Sequence, residues 1–444
     1  MAMKIVFCVH NYAPARGGAE LVWKNVSERL RRRGHDVRVV ATNARSTEDY
    51  FLPDKGRDLF PAGTETIDGV PVTRVPFRRF GSPVLNLLRS ISTRLPIPGR
   101  DKWRALSWGP RGGTYLRAVE TLAAEIGADL IVAGPFPTLV VDHARRAAAR
   151  LGKPLVVVPC FHTEDKYSFD NPLYFRWLRD AAGLACFTDL ESSYLAEKGG
   201  IPKERVRTAG IGIEVDGKTF LPDTDLEPAR AAARESVRAR LSLTQPNLVL
   251  FFGQHVPHKG IIPLLDAMEN LWKDGERAPR TSAAADLVIA GNPSSHTPAI
   301  KERIAILPEK FRSRVRLIPS VREEERTELF RAADIFVSVS PFESFGIVYL
   351  EAWREGTPVI ACDRGASSRL VEPFRDGLLV GDSNAFELSG AILTLLRDPE
   401  LRRRMGLRGR AKVRERFDWE KIADNYENFF AEIAGKRQAK SGTV

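Results

Sequence analysis

The sequence predicts an α/β protein built from two doubly wound, Rossmann-like halves, and three observations lead there. Short, near-continuous runs of Val, Ile, Leu and Phe recur along the chain, as strands buried on both faces of a parallel sheet require. Stretches of helical periodicity separate many of them, the alternation that winds helices onto both faces of a sheet. The length of 444 residues exceeds what one hydrophobic core ordinarily serves.

In the first half the strand runs are KIVFCVH (4–10), DVRVVAT (36–42), VPVTRVPF (70–77), DLIVAG (129–134), PLVVVPC (154–160) and LACFT (184–188). After the first, AELVWKNVSERLRRRG reads as an amphipathic helix. Residues 217–246 carry prolines, charges and a helical stretch but no strand pattern, and are read as a linker with a leading helix. The scheme then repeats with NLVLFFG (247–253), DLVIAG (286–291), VRLIPS (315–320), DIFVSVS (334–340), PVIACD (358–363) and GLLVG (377–381). Two helices end the chain. The expected domains are therefore 1–216 and 247–415, with 416–444 a helix returning to the first domain and a tail frayed from 435 onward. Ligands of such halves belong at the carboxyl ends of the strands, in a cleft between the domains.

Hydrophobic content of 43% with 28% charged residues excludes a disordered chain. Cys8, Cys160, Cys186 and Cys362 have no CxxC or Cys/His spacing, so neither a disulfide framework nor a zinc site is signalled. The N-terminal apolar run is too short for a signal peptide and no window suits a spanning helix, which places the expectation in the cytoplasm. The net charge of +11 calls for a polyanionic neighbour. Much of that excess lies in residues 78–117, rich in arginine with Asp101 as the one acid and with Leu and Trp interleaved. Two readings of this segment stand open: attachment to an anionic membrane surface at its inner face, or a solvated helical hairpin packed on its own domain. No binding motif accompanies the charge, so nucleic acid is not expected.

The stretch SPFESFGIVYLEAW (340–353) sets Glu343 and Glu351 in one of the most apolar segments of the chain. A buried carboxylate is costly unless donors satisfy it. Pro341 ends a strand, and a helix should run from about Gly346 to Arg354. The first backbone N–H groups there, around Ser344, Phe345, Gly346 and Ile347, suit a phosphate. One turn deeper, Glu351 could receive the two hydroxyls of a ribose, and Glu343 those of a sugar on the other side. The alternative makes Glu343 a helix cap and lets Glu351 reach solvent at the helix edge.

The segment PFESFGIVYLEAWREGTPVIACDRGA resembles the Glu-x7-Glu signature of retaining glycosyltransferases of the GT-B fold, most closely glycosyltransferase family 4. The resemblance continues through REEERTELFRAADIFVSVS upstream and DGLLVGDSNAFELSGAILTLLRDPELRRRMG downstream. It implies two Rossmann-like domains facing across a cleft, the first binding the acceptor and the second a nucleotide sugar. The donor would be a nucleoside diphosphate sugar of UDP or GDP type, with no metal and no other cofactor.

The acceptor would be a carbohydrate or lipid-linked saccharide. Gly17 and Gly18 resemble the diglycine loop that approaches the donor diphosphate, and paired glycines between a strand and a helix permit that approach on physical grounds as well. His162, at a strand's carboxyl end, is similar to the histidine beside the transferred sugar. FFGQHVPHKG resembles the element carrying an Arg/Lys pair for the diphosphate. Lys259 is present, but Gln254 stands where arginine is expected, a neutral amide for a bidentate guanidinium. Either His255 or His258 compensates, or the donor is unusual, or activity is low.

The implied catalytic set is His162, Glu343 and Lys259. The departing phosphate oxygen itself would take the acceptor's proton, so no protein nucleophile is expected. The triplet Asp223–Asp225, which resembles the metal site of the other large glycosyltransferase fold, lies in the expected linker and is read as chance. A nicotinamide dehydrogenase is disfavoured because NYAPARGGAE lacks Gly-x-Gly-x-x-Gly spacing. Gln254 keeps a second class open, a sugar-nucleotide-binding protein without transfer.

Overall fold

The computed structural model describes all residues except 1, 16, 46–48, 50–58, 78–90, 92–99, 107–108, 111–112, 218, 278–283, 383 and 442–444. Most of the basic segment 78–117 therefore lies outside the described residues. The chain divides into two compact units, residues 1–211 with 419–444, and residues 212–418. Each has its own sheet.

In the first unit the strands are β1 (Lys4–Val9), β2 (Asp36–Thr42), β3 (Gly63–Ile67), β4 (Val70–Val75), β5 (Leu130–Gly134), β6 (Leu155–Val157), β7 (Gly183–Cys186) and β8 (Val206–Thr208), in the order β3-β4-β2-β1-β5-β6-β7-β8. All pair in parallel except β3, which runs antiparallel to β4. That hairpin turns on Asp68 and Gly69, both at positive φ (48° and 81°), a two-residue connection of the kind that matches strand twist. The helices that bear on the argument are α1 (Gly18–Arg32), α2 (Gly113–Glu125), α3 (Val140–Leu151) and α4 (Asp189–Glu197). On α1, Val22, Val26 and Leu30 repeat every four residues and are buried, the stripe a surface helix turns to its core.

The second unit holds β9 (Asn247–Phe252), β10 (Ala285–Gly291), β11 (Val315–Pro319), β12 (Ile335–Ser338), β13 (Val359–Cys362) and β14 (Gly377–Val380), in the order β11-β10-β9-β12-β13-β14. All pair in parallel. From β9 the chain moves outward to β10 and β11, then returns to β12 on β9's other side. The crevice for ligands in such a sheet lies outside the carboxyl ends of those two central strands.

Around the sheet lie α5 (Asp223–Leu241), α6 (Ile261–Arg277), α7 (Glu323–Ala332), α8 (Ile347–Arg354), α9 (Ala385–Arg397) and α10 (Pro399–Arg416). The segment expected as a linker thus contains α5, which is folded into this unit through buried Leu226, Ala233 and Val237. Arg230 of α5, 4% exposed, donates to the Glu355 and Ala333 carbonyls and to the Thr357 hydroxyl. It thereby caps the carboxyl ends of α7 and α8. Asp223, which opens the Asp-Thr-Asp triplet, is paired with Arg410 and Arg414 of α10.

Helix α8 is the apolar segment that holds Glu351. Trp353 is fully buried against α10, where a Cβ on Gly409 would come within 2.0 Å of its ring. Only glycine lets the two helices approach this closely.

The last helix, α11 (Trp419–Ser441), belongs to the first unit. Arg33 at the end of α1 reaches Glu420, Asp424 and Glu427 on it. The Phe430 ring meets Phe7 of β1 edge-on at 6.1 Å. The helix continues to Ser441, where fraying was expected from 435. All four cysteines are buried free thiols, and burial raises the pKa of each. Among the described residues no helix is long and apolar enough to cross a membrane.

Candidate functional site

The loops after β9 and β12, with helix α8 that follows the second, carry the predicted residues of the second unit, and the fold brings them together at the switch in strand order. Lys259 ends a single 3-10 turn (Pro257–Lys259) in the loop after β9. Its Nζ donates to Oε1 of Glu343, in the loop after β12. Glu343 is not the cap of α8, whose N-terminus has no side-chain cap. The cap residue is Gly346, at φ 97° and ψ 55°. A Cβ there would lie 2.5 Å from the Tyr349 ring, so conformation and space both require glycine. The helix begins at Ile347, one residue beyond the expected start. Phe345 is buried with its ring edge-on to Phe417 at 5.7 Å, and Ser344 is half-buried.

Glu351 does not reach solvent. It is 8% exposed, and its Oε2 accepts from Arg326 Nη2 of α7 at 2.5 Å. Burial pushes its pKa above the ordinary carboxylate value, while Arg326 and then Arg354 pull it back part of the way. The donor that the sequence left to a ribose is thus supplied in the fold by a guanidinium.

Gln254 is exposed in the turn after β9. His255 is fully buried, with Nδ1 3.3 Å from the Thr297 hydroxyl, and burial lowers its pKa. It is therefore neutral near pH 7 and does not replace the missing arginine charge. His258 is exposed, with its ring edge-on to Phe342 at 5.8 Å.

In the first unit Gly17 and Gly18 follow β1, as expected, with Gly18 the first residue of α1. Gly17 is extended (φ 179°), a conformation open to any residue, and a Cβ there would meet Glu20 Oε2 at 2.2 Å, so a larger residue would displace that carboxylate. Glu20 is buried and 3.0 Å from His10 Nε2 at the end of β1. Burial works to raise the Glu20 pKa, yet His10 and local hydrogen bonds hold it below the ordinary value.

His162 lies beyond β6, two strands from β1 in the sheet, with its ring 5.0 Å from Phe169. The residue before it is clamped. Glu191, the third residue of α4, accepts from the N–H of Phe161 at 2.7 Å and of Phe187 at 2.6 Å. Full burial outweighs these bonds and pushes the Glu191 carboxyl up to about 7. Sequence reasoning passed over Glu191, Glu20, His10 and Arg326. Glu20 stands two residues after the glycine pair and Glu191 completes Thr188-x-x-Glu191, a capping-box pattern, but neither His10 nor Arg326 has a local signal.

Residues 17–212 match the protein-family model described as a glycosyl transferase 4-like domain, and residues 233–412 that described as glycosyl transferases group 1. The D-inositol 3-phosphate glycosyltransferase of Streptomyces bingchenggensis is 34% identical over 225 residues, 50% of this chain and 49% of its own. That of Xylanimonas cellulosilytica is 30% identical over 259 residues, 58% of each chain. The alpha-maltose-1-phosphate synthase of Mycolicibacterium smegmatis is 33% identical over 219 residues, 47% of this chain and 54% of its own. The chain spans about half the length of the curated relatives it matches.

Among solved structures, Anabaena HepE in complex with UDP is similar with a TM-score of 0.69 at 19% identity, covering 97% of this chain and 100% of that one. Sucrose-phosphate synthase from Thermosynechococcus elongatus gives 0.68 at 19%, covering 98% and 100%. At that identity the likeness shows the fold: GT-B, with two Rossmann-like units.

Proposed function

Because the chain belongs to the group 1 glycosyltransferases, with a 4-like domain ahead of the group 1 domain, we propose that it moves a glycosyl unit from a nucleoside diphosphate sugar to an acceptor, with retention at the anomeric carbon. The observation that carries this reading is the Lys259–Glu343 pair beside the Gly346-capped helix, at the carboxyl ends of the two central strands. Diphosphate would draw the Lys259 ammonium toward itself and lie against the open N–H groups that begin α8, where departing charge is stabilised without reorganisation. Glu343, released from Lys259, would accept from sugar hydroxyls, and Glu351 from the ribose. In the first unit Gly17 and Gly18 would let backbone approach a diphosphate, and His162, held by the Glu191 clamp on its neighbour, would face the transferred sugar. The departing phosphate oxygen would take the acceptor's proton.

We read the donor as UDP- or GDP-linked and the acceptor as a carbohydrate or lipid-linked saccharide of cell-envelope glycan assembly, met at an anionic membrane surface. The net charge of +11 supports a phosphorylated or membrane-borne acceptor, and several relatives are named for a phosphorylated polyol. Flotation with anionic vesicles at low salt tests the membrane part, and protein left at the bottom of the gradient would rule it out. The donor part is tested by calorimetry or thermal shift with UDP, GDP, ADP and their sugar conjugates on wild type and Glu351→Ala. Stabilisation by one nucleotide class, lost in the variant, is expected; equal responses from both proteins would sink the site.

A second reading, binding without transfer, is favoured by one observation. Gln254 is neutral and exposed, and the adjoining His255 is buried and neutral. Release of free nucleoside diphosphate from a bound sugar nucleotide distinguishes the two.

A further inference from the structure

Arg326 belongs to neither the Glu-x7-Glu segment nor the lysine loop, yet three observations centre on it. Its Nη2 donates to Glu351 Oε2 at 2.5 Å. Its guanidinium carbon lies 4.7 Å from the centroid of the Phe252 ring. Its Nε is buried without a hydrogen-bond partner among the described residues. Phe252 is the last residue of β9, directly ahead of the Gly253-Gln254 turn. One planar cation on α7 therefore touches both the acid of α8 and the central strand whose end carries the site.

The surrounding charges give this bridge a chemical consequence. Glu323 and Arg326 face Glu351 from α7, and Arg354 faces it from its own helix. Helix α10, packed on α8, brings Arg410, bonded to the Arg354 carbonyl, and Lys412, paired with Asp376. Both are engaged away from Glu351. Burial favours the neutral acid, and Arg326 is the largest influence against it. A ribose diol presents two donors to one carboxylate, which only the ionised form can accept with both oxygens.

We propose that Arg326 is a positioning residue for the nucleotide, holding the Glu351 carboxylate as an anion and fixing its rotamer to receive the two ribose hydroxyls. The inference rests on the nucleotide-sugar reading above. It explains the residue type: lysine, a compact point charge, cannot set a planar cation over Phe252 while donating to a carboxylate. Methionine fills a similar volume without charge.

Calorimetric titration with UDP and GDP at about pH 6 and about pH 8.5 tests it, using wild type, R326M, R326K, E351A, E351Q and the double variant R326M/E351Q. Circular dichroism establishes that each variant is folded. Wild-type affinity is expected to change by less than about threefold between the two pH values. R326M is expected to lose about tenfold or more at the lower pH and to recover most of it at the higher, since one pKa unit on Glu351 is a factor of ten. R326K should fall between them, and R326M should add nothing in the E351Q background. Wild-type affinity in R326M at both pH values would overturn the proposal. So would a pH-independent loss that adds in full to that of E351Q, because Arg326 would then act without Glu351. The nucleotide-sugar reading stands or falls separately, on whether E351A loses nucleotide that wild type binds.

Discussion

Lys259 and Glu343, brought together from the loops after β9 and β12, are each other's counter-ion. The cation assigned to a diphosphate and the acid assigned to a sugar are therefore exchangeable partners in one ion pair. Lys259→Ala is expected to lower kcat/KM by about a hundredfold or more, the usual loss when a preorganised charge-stabilising donor is removed. Single-turnover transfer measures it.

The two acids should separate in their kinetics. Glu351→Ala is expected to weaken nucleotide diphosphate binding, while Glu343→Ala leaves that affinity within about threefold and lowers transfer by about tenfold or more. Equilibrium titration with the free nucleotide beside turnover of the sugar nucleotide gives both numbers for each variant.

Gly346→Ala places a Cβ against the Tyr349 ring at a left-handed backbone. A cost of about 1–3 kcal/mol in unfolding free energy is expected from the strain, measurable by urea titration. Gly409→Ala pushes α10 off Trp353, and overpacking of this kind costs about 1–3 kcal/mol. Only the first should also weaken nucleotide binding.

Glu191 predicts a stability trend with pH that runs against the common one for acids. Burial raises its folded pKa to about 7, above the ordinary value of 4.5. The native state therefore keeps a proton that the unfolded state has released. Its contribution is fully present below about pH 4.5 and is lost as pH rises through about 7. Between those limits the difference amounts to about 3 kcal/mol. Chemical denaturation of wild type and Glu191→Gln across that range should show a pH-dependent gap between the two proteins.

What the sequence reveals of the fold follows from what each element buries. Each of the twelve apolar runs forms a strand, and central ones such as β5 and β10 are buried at every residue, as a parallel strand covered on both faces requires. β3 is GTETI, almost entirely exposed, and carries no such pattern; only the Asp68-Gly69 turn after it points to a hairpin. Gly346, Glu343 and Glu351 were legible because a strand end, a helix start and two acids share fourteen consecutive residues. The partner of Glu351 lies 25 residues away and that of the Phe161 N–H 30 away. Such pairings are set by how helices pack on the sheet, and no local spacing encodes them.

The membership of α11 in the first unit bears on the order in which the chain can fold. The two stretches of that unit are separated by the whole of residues 212–418. A ribosome therefore delivers every residue of the second unit before it makes the helix carrying Glu427 and Phe430, which meet His35 and Phe7. Domains usually complete themselves from the N-terminus during synthesis. Here the later-made unit has all its parts first, and α1 and β1 wait with an unclosed apolar flank until translation reaches α11.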